Sequence, residues 1–226
     1  TALAVSLVEM ARNNVLVKKL AAVQTLGSVT VICTDKTGTI TKGEMTVTEI
    51  WVDGTTVDLS GTGTGAEGQA ARGGANIPPE AAPDLGWTLQ LGVLCNNGKL
   101  VPPTGQGKEQ EVLGDPTDTA LLLAARKQGM DPEAVRNTYP RTAMLPFDPA
   151  RMMMATLHEH DDGTVIGVKG ALVPVLGRCD HYLNGGRTLP LGGSERKAIE
   201  DEEASLTRQG LRVIALAYRI VPQRTS

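Results

Sequence analysis

A small set of residues in this chain has the types and spacing that phosphoryl chemistry needs. Asp35 ends an apolar run, Val29-Thr30-Val31-Ile32-Cys33-Thr34, and is followed by Lys36-Thr37-Gly38-Thr39. A carboxylate at the carboxyl end of a strand can attack a phosphoryl group and carry it as an acyl phosphate, dividing one difficult displacement into two easier ones. Lys36 can neutralise phosphate oxygens, Gly38 lets backbone N–H groups approach them, and Thr37 and Thr39 can donate hydrogen bonds. An Asp-capped turn would use the same residue types, so Asp-x-Thr-Gly taken alone leaves both readings open.

The elements that must position these residues follow from pattern. Residues 2–26 read as a helix stopped by Gly27-Ser28, and 29–34 as a short strand covered on both faces. Residues 46–59 read as two strands around Asp53-Gly54, a hairpin signal. The Gly/Ala/Pro-rich stretch 60–84 reads as a surface loop. Its Gly61-x-Gly63-x-Gly65 lacks the spacing and following helix of a phosphate loop, and Gly38 with Gly43 is followed by Glu44-Met45 instead of Lys-Ser/Thr. Helices are expected over 84–96, from Asp115 to a stop at Gly129, from Asp131-Pro132, and over 194–209 before Gly210. Residues 152–170 should form a hairpin about Asp161-Asp162-Gly163, and 211–218 a closing buried strand. Hairpins with helices grouped between them argue for an α+β fold, an antiparallel sheet flanked by helices. The 29–34 strand, ending on an acid, belongs to a different, parallel-sheet architecture.

Composition narrows the function classes. Across 226 residues, 22 Lys and Arg against 25 Asp and Glu make no basic field for nucleic acid, and 3% aromatics make no stacking platform for bases. Three widely spaced cysteines, Cys33, Cys95 and Cys179, fit a reducing compartment and give no zinc or disulfide pattern. No apolar run reaches the roughly 20 residues a membrane helix needs, so the chain as given is expected to be soluble. His158 and His160 share a strand face, but the adjoining acids are ordinary turn residues and no metal site is expected there. Glu200–Glu203 read as a solvated helix face, and Met152–Met154 as strand packing.

Taken whole, Cys33-Thr34-Asp35-Lys36-Thr37-Gly38-Thr39-Ile40-Thr41 resembles the phosphorylation motif of the P-type ATPases. The resemblance implies that Asp35 is phosphorylated by ATP, inside a haloacid-dehalogenase-like α/β domain of which the chain holds only the first helix and strand. Thr37 stands where related phosphatases carry a second Asp as acid/base. Without that base the acyl phosphate would hydrolyse slowly. Asp35 and the Thr37 carbonyl would be two of the oxygens on Mg²⁺.

Four later segments resemble the nucleotide-binding domain of the same family, in its order. Gly114–Leu122 is similar to Gly-x-x-Thr-Glu-x-Ala-Leu, with Asp118 in the Glu position near the adenine edge. By itself Asp118 would pass as a helix N-terminal acid. Leu145–Met154 is similar to the segment whose Phe stacks on adenine. Here that is Phe147, the one Phe of the chain, and a lone Phe is otherwise most often core. Met152 departs from the family's Lys there. Pro149 stands where calcium pumps often carry an Arg, a role Arg151 would take over. Val165–Ala171 resembles the Lys-Gly-Ala motif, implying that Lys169 reaches the nucleotide and that Gly170 permits close backbone approach. Gly210–Arg219 resembles the segment whose Arg, here Arg212, contacts ATP phosphates. The residues alone would suit a solvated strand-end lysine and a snorkelling arginine equally.

The pattern is most similar to the type II, calcium-pump-like branch. It implies residues 1–46 as stalk helix and first phosphorylation-domain strand, 47–221 as nucleotide-binding domain and 222–226 as the start of a return linker. Nothing in the chain matches the Thr-Gly-Glu loop, the Thr-Gly-Asp hinge or the Gly-Asp-Gly-x-Asn-Asp magnesium motif. The expected partners are therefore ATP and the remaining phosphorylation, actuator and membrane domains of a pump, at the cytoplasmic face of a membrane. A stand-alone dehalogenase-type phosphatase and a regulatory nucleotide-binding module are the alternatives, and neither needs the whole Asp35–Thr39 pentad.

Overall fold

The computed structural model describes residues 2–19, 23, 25–35, 39–41, 43–61, 68–78, 82–101, 111–161 and 163–222. They fall into two compact units, Thr1–Gly43 and Glu44–Ser226.

In the first unit the helix is shorter than expected. Helix α1, Ala2–Arg12, stops at Asn13-Asn14, where Asn14 takes a positive φ of 61° and Asn13 Nδ2 donates to Glu9 O at 2.9 Å. Asparagine competes locally for backbone bonds and tolerates the left-handed region, so it ends helices that apolar periodicity would continue. The strand expected over 29–34 is not formed. Residues 29–35 have no strand pairing and Ile32 is 86% exposed. A parallel strand needs neighbours to take its backbone bonds, and no described segment pairs with this one.

The second unit is α+β, and every strand pairing among its described residues is antiparallel. One sheet runs β1 (Glu49–Val52), β2 (Thr55–Leu59), β3 (Ala70–Arg72) and β4 (Ala75–Asn76) in order. Helix α2 (Pro83–Leu94) follows, then the hairpin β5 (Lys99–Val101) and β6 (Glu111–Leu113), and then helices α3 (Pro116–Lys127) and α4 (Pro132–Thr138). Strands β7 (Arg141–Asp148), β8 (Met153–His160) and β9 (Gly163–Gly170) lead through helix α5 (Leu172–Leu176) to the hairpin β10 (His181–Asn184) and β11 (Arg187–Pro190). Helix α6 (Gly193–Arg208) and strand β12 (Ala215–Val221) close the chain, and the second large sheet has the order β12-β9-β8-β7. The stretch expected as a loop over 60–84 thus carries β3–β4, and β5–β6 lie between the helices expected over 84–96 and from Asp115.

Local chemistry accounts for most boundaries. Asp53-Gly54, Gly73-Gly74 and Gly185-Gly186 all take positive φ, the two-residue turn whose twist matches a hairpin. Asp115 accepts from Thr117 N at 2.8 Å and Asp131 from Glu133 N at 3.0 Å, each capping a helix whose first residue is Pro. The core lies between β2–β3 and helices α2 and α3, with Val57, Leu85, Leu89, Val93 and Leu122 buried. The closing strand is less buried than expected. Among the described residues it is an edge, paired only with β9, and its last three residues are exposed.

His158 is buried. Its Nδ1–H donates to Tyr139 O at 2.9 Å, and among the described residues no group of three or more His, Cys, Asp or Glu could hold a metal ion. Burial lowers its pKa ahead of the other influences on it. An imidazole kept neutral in the core is a packing group.

A carboxyl pair ties three elements together. Gly186 N donates to Asp84 Oδ1 at 2.9 Å and Gly185 N to Asp53 Oδ1 at 2.7 Å, so the β10–β11 turn bonds to the start of α2 and to the β1–β2 turn. Asp84 is 2% exposed. Burial, then the hydrogen bond and charge of Asp53, raise its pKa. For Asp53 burial works in the opposite sense to the net effect. The Asp84 carboxyl, the Gly185 N–H and Arg72, 3.7 Å away, outweigh it and lower the pKa. The signs follow by linkage. Asp84, raised, contributes stability present below its unfolded value of 3.8 and lost as pH rises through its folded pKa. Asp53, lowered, contributes stability present above 3.8 and lost as pH falls through its folded pKa. Asp84→Asn, whose amide can donate where the protonated acid did, should remove the loss on the alkaline side. Melting curves between pH 4 and 9 would then show a smaller decline in the variant than in the parent, and equal declines would contradict the assignment.

Candidate functional site

The expected site residues converge in part. Asp118, in the first turn of α3, and Lys169, near the end of β9, form an ion pair with only 7% and 6% of each residue exposed. Helix geometry explains one partner, because Asp115 fixes where α3 begins and so where Asp118 points. Strand register explains the other. Lys169 pairs with Met154 on β8 and Leu216 on β12. Two strand positions away, Gly167 lies against Cys95 Cβ at 3.6 Å and Leu91 Cδ2 at 3.7 Å if given a Cβ, so this face of the sheet meets α2.

The Asp118 carboxylate is also held from its other side. Asn97 N donates to Asp118 Oδ2 at 2.8 Å, and Asn96 Nδ2 donates to Asp118 O at 2.8 Å and Gly92 O at 2.9 Å. Asn96 and Asn97 did not emerge from the sequence reading. Their one visible signal is an Asn-Asn-Gly turn directly after a helix.

Phe147 is 57% exposed on β7. Leu145 pairs with Ala155 and Asp148 with Met153, so Pro146 and Phe147 share the irregularity opposite Met154. Since Met154 pairs with Lys169 and Lys169 with Leu216, one row across the sheet runs from the Pro146–Phe147 irregularity through Met154 and Lys169 to Leu216. An exposed ring on an edge strand is not the core residue that a lone Phe usually is.

Arg151 is engaged within its own turn, with Nε 3.2 Å from Asp148 Oδ2. That turn is seated on the end of β9, where Ala171 N donates to Met152 O at 2.9 Å, and Met152 holds a positive φ of 52°. Gly170 allows the seating, because a Cβ there would overlap Met152 O and lie 2.6 Å from Met153 Cβ. Gly170→Ala should therefore cost about 1–3 kcal/mol, the range for overpacking a well-packed site. Urea unfolding would measure it, and an unchanged midpoint would contradict the close approach.

Arg212 is exposed, three residues before Ala215, the partner of Gly170. It lines a cavity of about 960 Å³ together with Trp51, Trp87, Leu91, Val168 and Tyr218. That cavity does not include Asp118, Phe147, Arg151 or Lys169, so it is not where most of the expected residues meet. Asp35 is exposed in the first unit, with Thr34 Oγ1 donating to its backbone oxygen at 3.2 Å. Lys36, Thr37 and Gly38 lie outside the described residues, as do Gly63 and Gly65 of the glycine-rich loop. Asp35 offers one carboxylate toward a magnesium ion, and no described group of three or more His, Cys, Asp or Glu includes it.

Residues 85–226 match the family model for the cytoplasmic domain N of P-type ATPases. The chain is 37% identical over 215 residues to the probable cation-transporting ATPase F of Mycobacterium tuberculosis, covering 94% of this chain and 23% of the relative. It is 38% identical over 220 residues to a calcium-transporting ATPase of Bacillus subtilis, covering 96% and 24%. It is 34% identical over 220 residues to the bovine calcium-transporting ATPase type 2C member 1, covering 95% and 22%. The chain therefore belongs to the P-type ATPase family, in the part that includes the cytoplasmic N domain. It spans about a quarter of the length of these curated relatives. No helix among the described residues is long and apolar enough to cross a membrane.

Proposed function

We propose that this chain is the ATP-binding region of a cation-transporting P-type ATPase, with Ca²⁺ as the cation, and that ATP held on Glu44–Ser226 phosphorylates Asp35. The observation that carries the reading is the row across the β12-β9-β8-β7 sheet, with an exposed Phe147 at one side and the buried Lys169–Asp118 pair two strands away. Adenine stacks on Phe147, the lysine and the exposed Arg212 meet phosphate oxygens, and Gly170 lets the Arg151 turn close against the strand end. The names of the Bacillus subtilis and bovine relatives support calcium.

In the transfer, a carboxylate oxygen of Asp35 forms a bond to the γ-phosphorus while the bond to the bridging oxygen breaks. ADP leaves with that electron pair, and the product is an aspartyl phosphate. Lys36 offsets charge on the transferred group. Thr37, standing where a phosphatase has its acid/base, leaves the acyl phosphate to persist until the pump changes conformation. Magnesium accompanies ATP and supplies charge neutralisation. Asp35 and the Thr37 carbonyl would hold it with a further carboxylate. The reading places the first unit at the start of a haloacid-dehalogenase-like domain, on the cytoplasmic side of a membrane pump.

Titration calorimetry of the purified chain tests the binding step. A Kd for ATP on the order of 0.1–1 mM, or roughly −4 to −5.5 kcal/mol, is expected, with no steady release of phosphate. Sustained hydrolysis abolished by Asp35→Asn would contradict the incomplete catalytic site.

A further inference from the structure

The turn that holds Asp118 is bonded at three points by the Arg141 side chain. Arg141, at the start of β7, donates from Nη2 to Leu94 O at 3.0 Å and to Asn96 O, and from Nη1 to Asn97 Oδ1 at 2.8 Å. These acceptors lie at and just beyond the carboxyl end of α2, where helix carbonyls lack partners and a cation is favoured. The planar guanidinium serves all three acceptors at once, which a single ammonium does not. Gly98 N donates to Asn96 Oδ1 at 2.7 Å and Arg136 Nη2 to Gly98 O at 2.9 Å, closing the far side of the turn.

We propose that Arg141 is a positioning residue of the nucleotide site. It fixes the Asn96-Asn97 turn, the turn directs the Asn97 N–H onto the Asp118 carboxylate, and that carboxylate places the Lys169 ammonium. Remote in sequence from Asp118 and Lys169, Arg141 acts only through them. The role rests on the reading of Lys169 as a nucleotide-contacting lysine, while the chain of bonds from Arg141 to Lys169 stands apart from that reading.

The test compares Arg141→Ala, Arg141→Lys and a control, Val57→Ala, which opens the buried core at β2 and lowers stability without touching the turn. Two readouts are followed in the full chain: ATP affinity, and the amide proton of Asn97, which donates to a carboxylate. Arg141→Ala should weaken ATP binding about tenfold, the scale of one misplaced charge-assisted hydrogen bond, and move the Asn97 proton upfield. Val57→Ala should leave both as in the parent. Arg141→Lys keeps the charge at the helix end, so it should recover stability but not the Asn97 signal. Should Arg141→Ala fail to fold, Arg141→Lys carries the same two readouts. Parent-like affinity and Asn97 shift in Arg141→Ala, or full recovery of both in Arg141→Lys, would overturn the proposal. If the parent chain binds no ATP, the nucleotide reading fails, and the Asn97 signal still decides whether Arg141 fixes the turn.

Discussion

Phe147→Ala weakens ATP binding by about one to two powers of ten while leaving the fold unchanged. Stacking a base on an aromatic face is worth ~1–3 kcal/mol, and each 1.4 kcal/mol is a factor of ten. The ring is 57% exposed, so removing it empties no core. Phe147→Tyr, which keeps the face, should bind as the parent does. Matched ATP titrations and melting curves separate the two effects. Equal affinity in the alanine variant would move adenine away from β7, and a large drop in melting temperature would mean that the ring packs rather than binds.

The second large effect is on stability. Lys169→Met leaves the Asp118 carboxylate buried without its counter-charge, and breaking a buried pair in this way costs about 3–5 kcal/mol. For a domain of this size that is a fall of roughly 6–20 °C in Tm. Adding Asp118→Asn removes the stranded charge and should restore much of the loss, although ATP phosphates would still lack the ammonium. The double variant therefore separates folding from binding. A loss under about 1 kcal/mol in Lys169→Met would show that the pair is open to water and screened like a surface ion pair. No recovery in the double variant would show that the lysine stabilises by packing its stem.

These effects depend on features that the sequence displayed unevenly. Asp53-Gly54, Asp115-Pro116 and Asp131-Pro132 were legible because turns and caps are decided by two or three adjacent residues. Gly73-Gly74 and Gly185-Gly186 carry the same turn chemistry, but the strands around them have only two to four residues and too little alternation to stand out. Strand β7 is exposed at nearly every position, so no burial period marked it. Helix α1 ends early because Asn13-Asn14 interrupts a periodicity that otherwise runs on.

The site divides the same way. Phe147, Lys169 and Asp118 could be named through family resemblance, but nothing local predicts that a lysine meets a carboxylate 51 residues away. Register across β8 and β9 creates that meeting, together with the point at which Asp115 starts α3. Arg141 gave no sequence signal at all. Its partners are backbone carbonyls and an amide oxygen, groups that no motif advertises. The run before Asp35 failed as a strand for the opposite reason: its apolar residues are right for a sheet interior, and none of the described chain pairs with them.

Nucleotide-induced chemical-shift mapping of the full chain tests the location of ATP most directly. ATP should shift amides around Phe147, Lys169–Ala171 and Arg212, with Asn97 and Asp118 following because they hold the lysine. Shifts confined to the 61–65 glycine-rich segment, or to the Trp51–Trp87 cavity without Phe147 and Lys169, would contradict it.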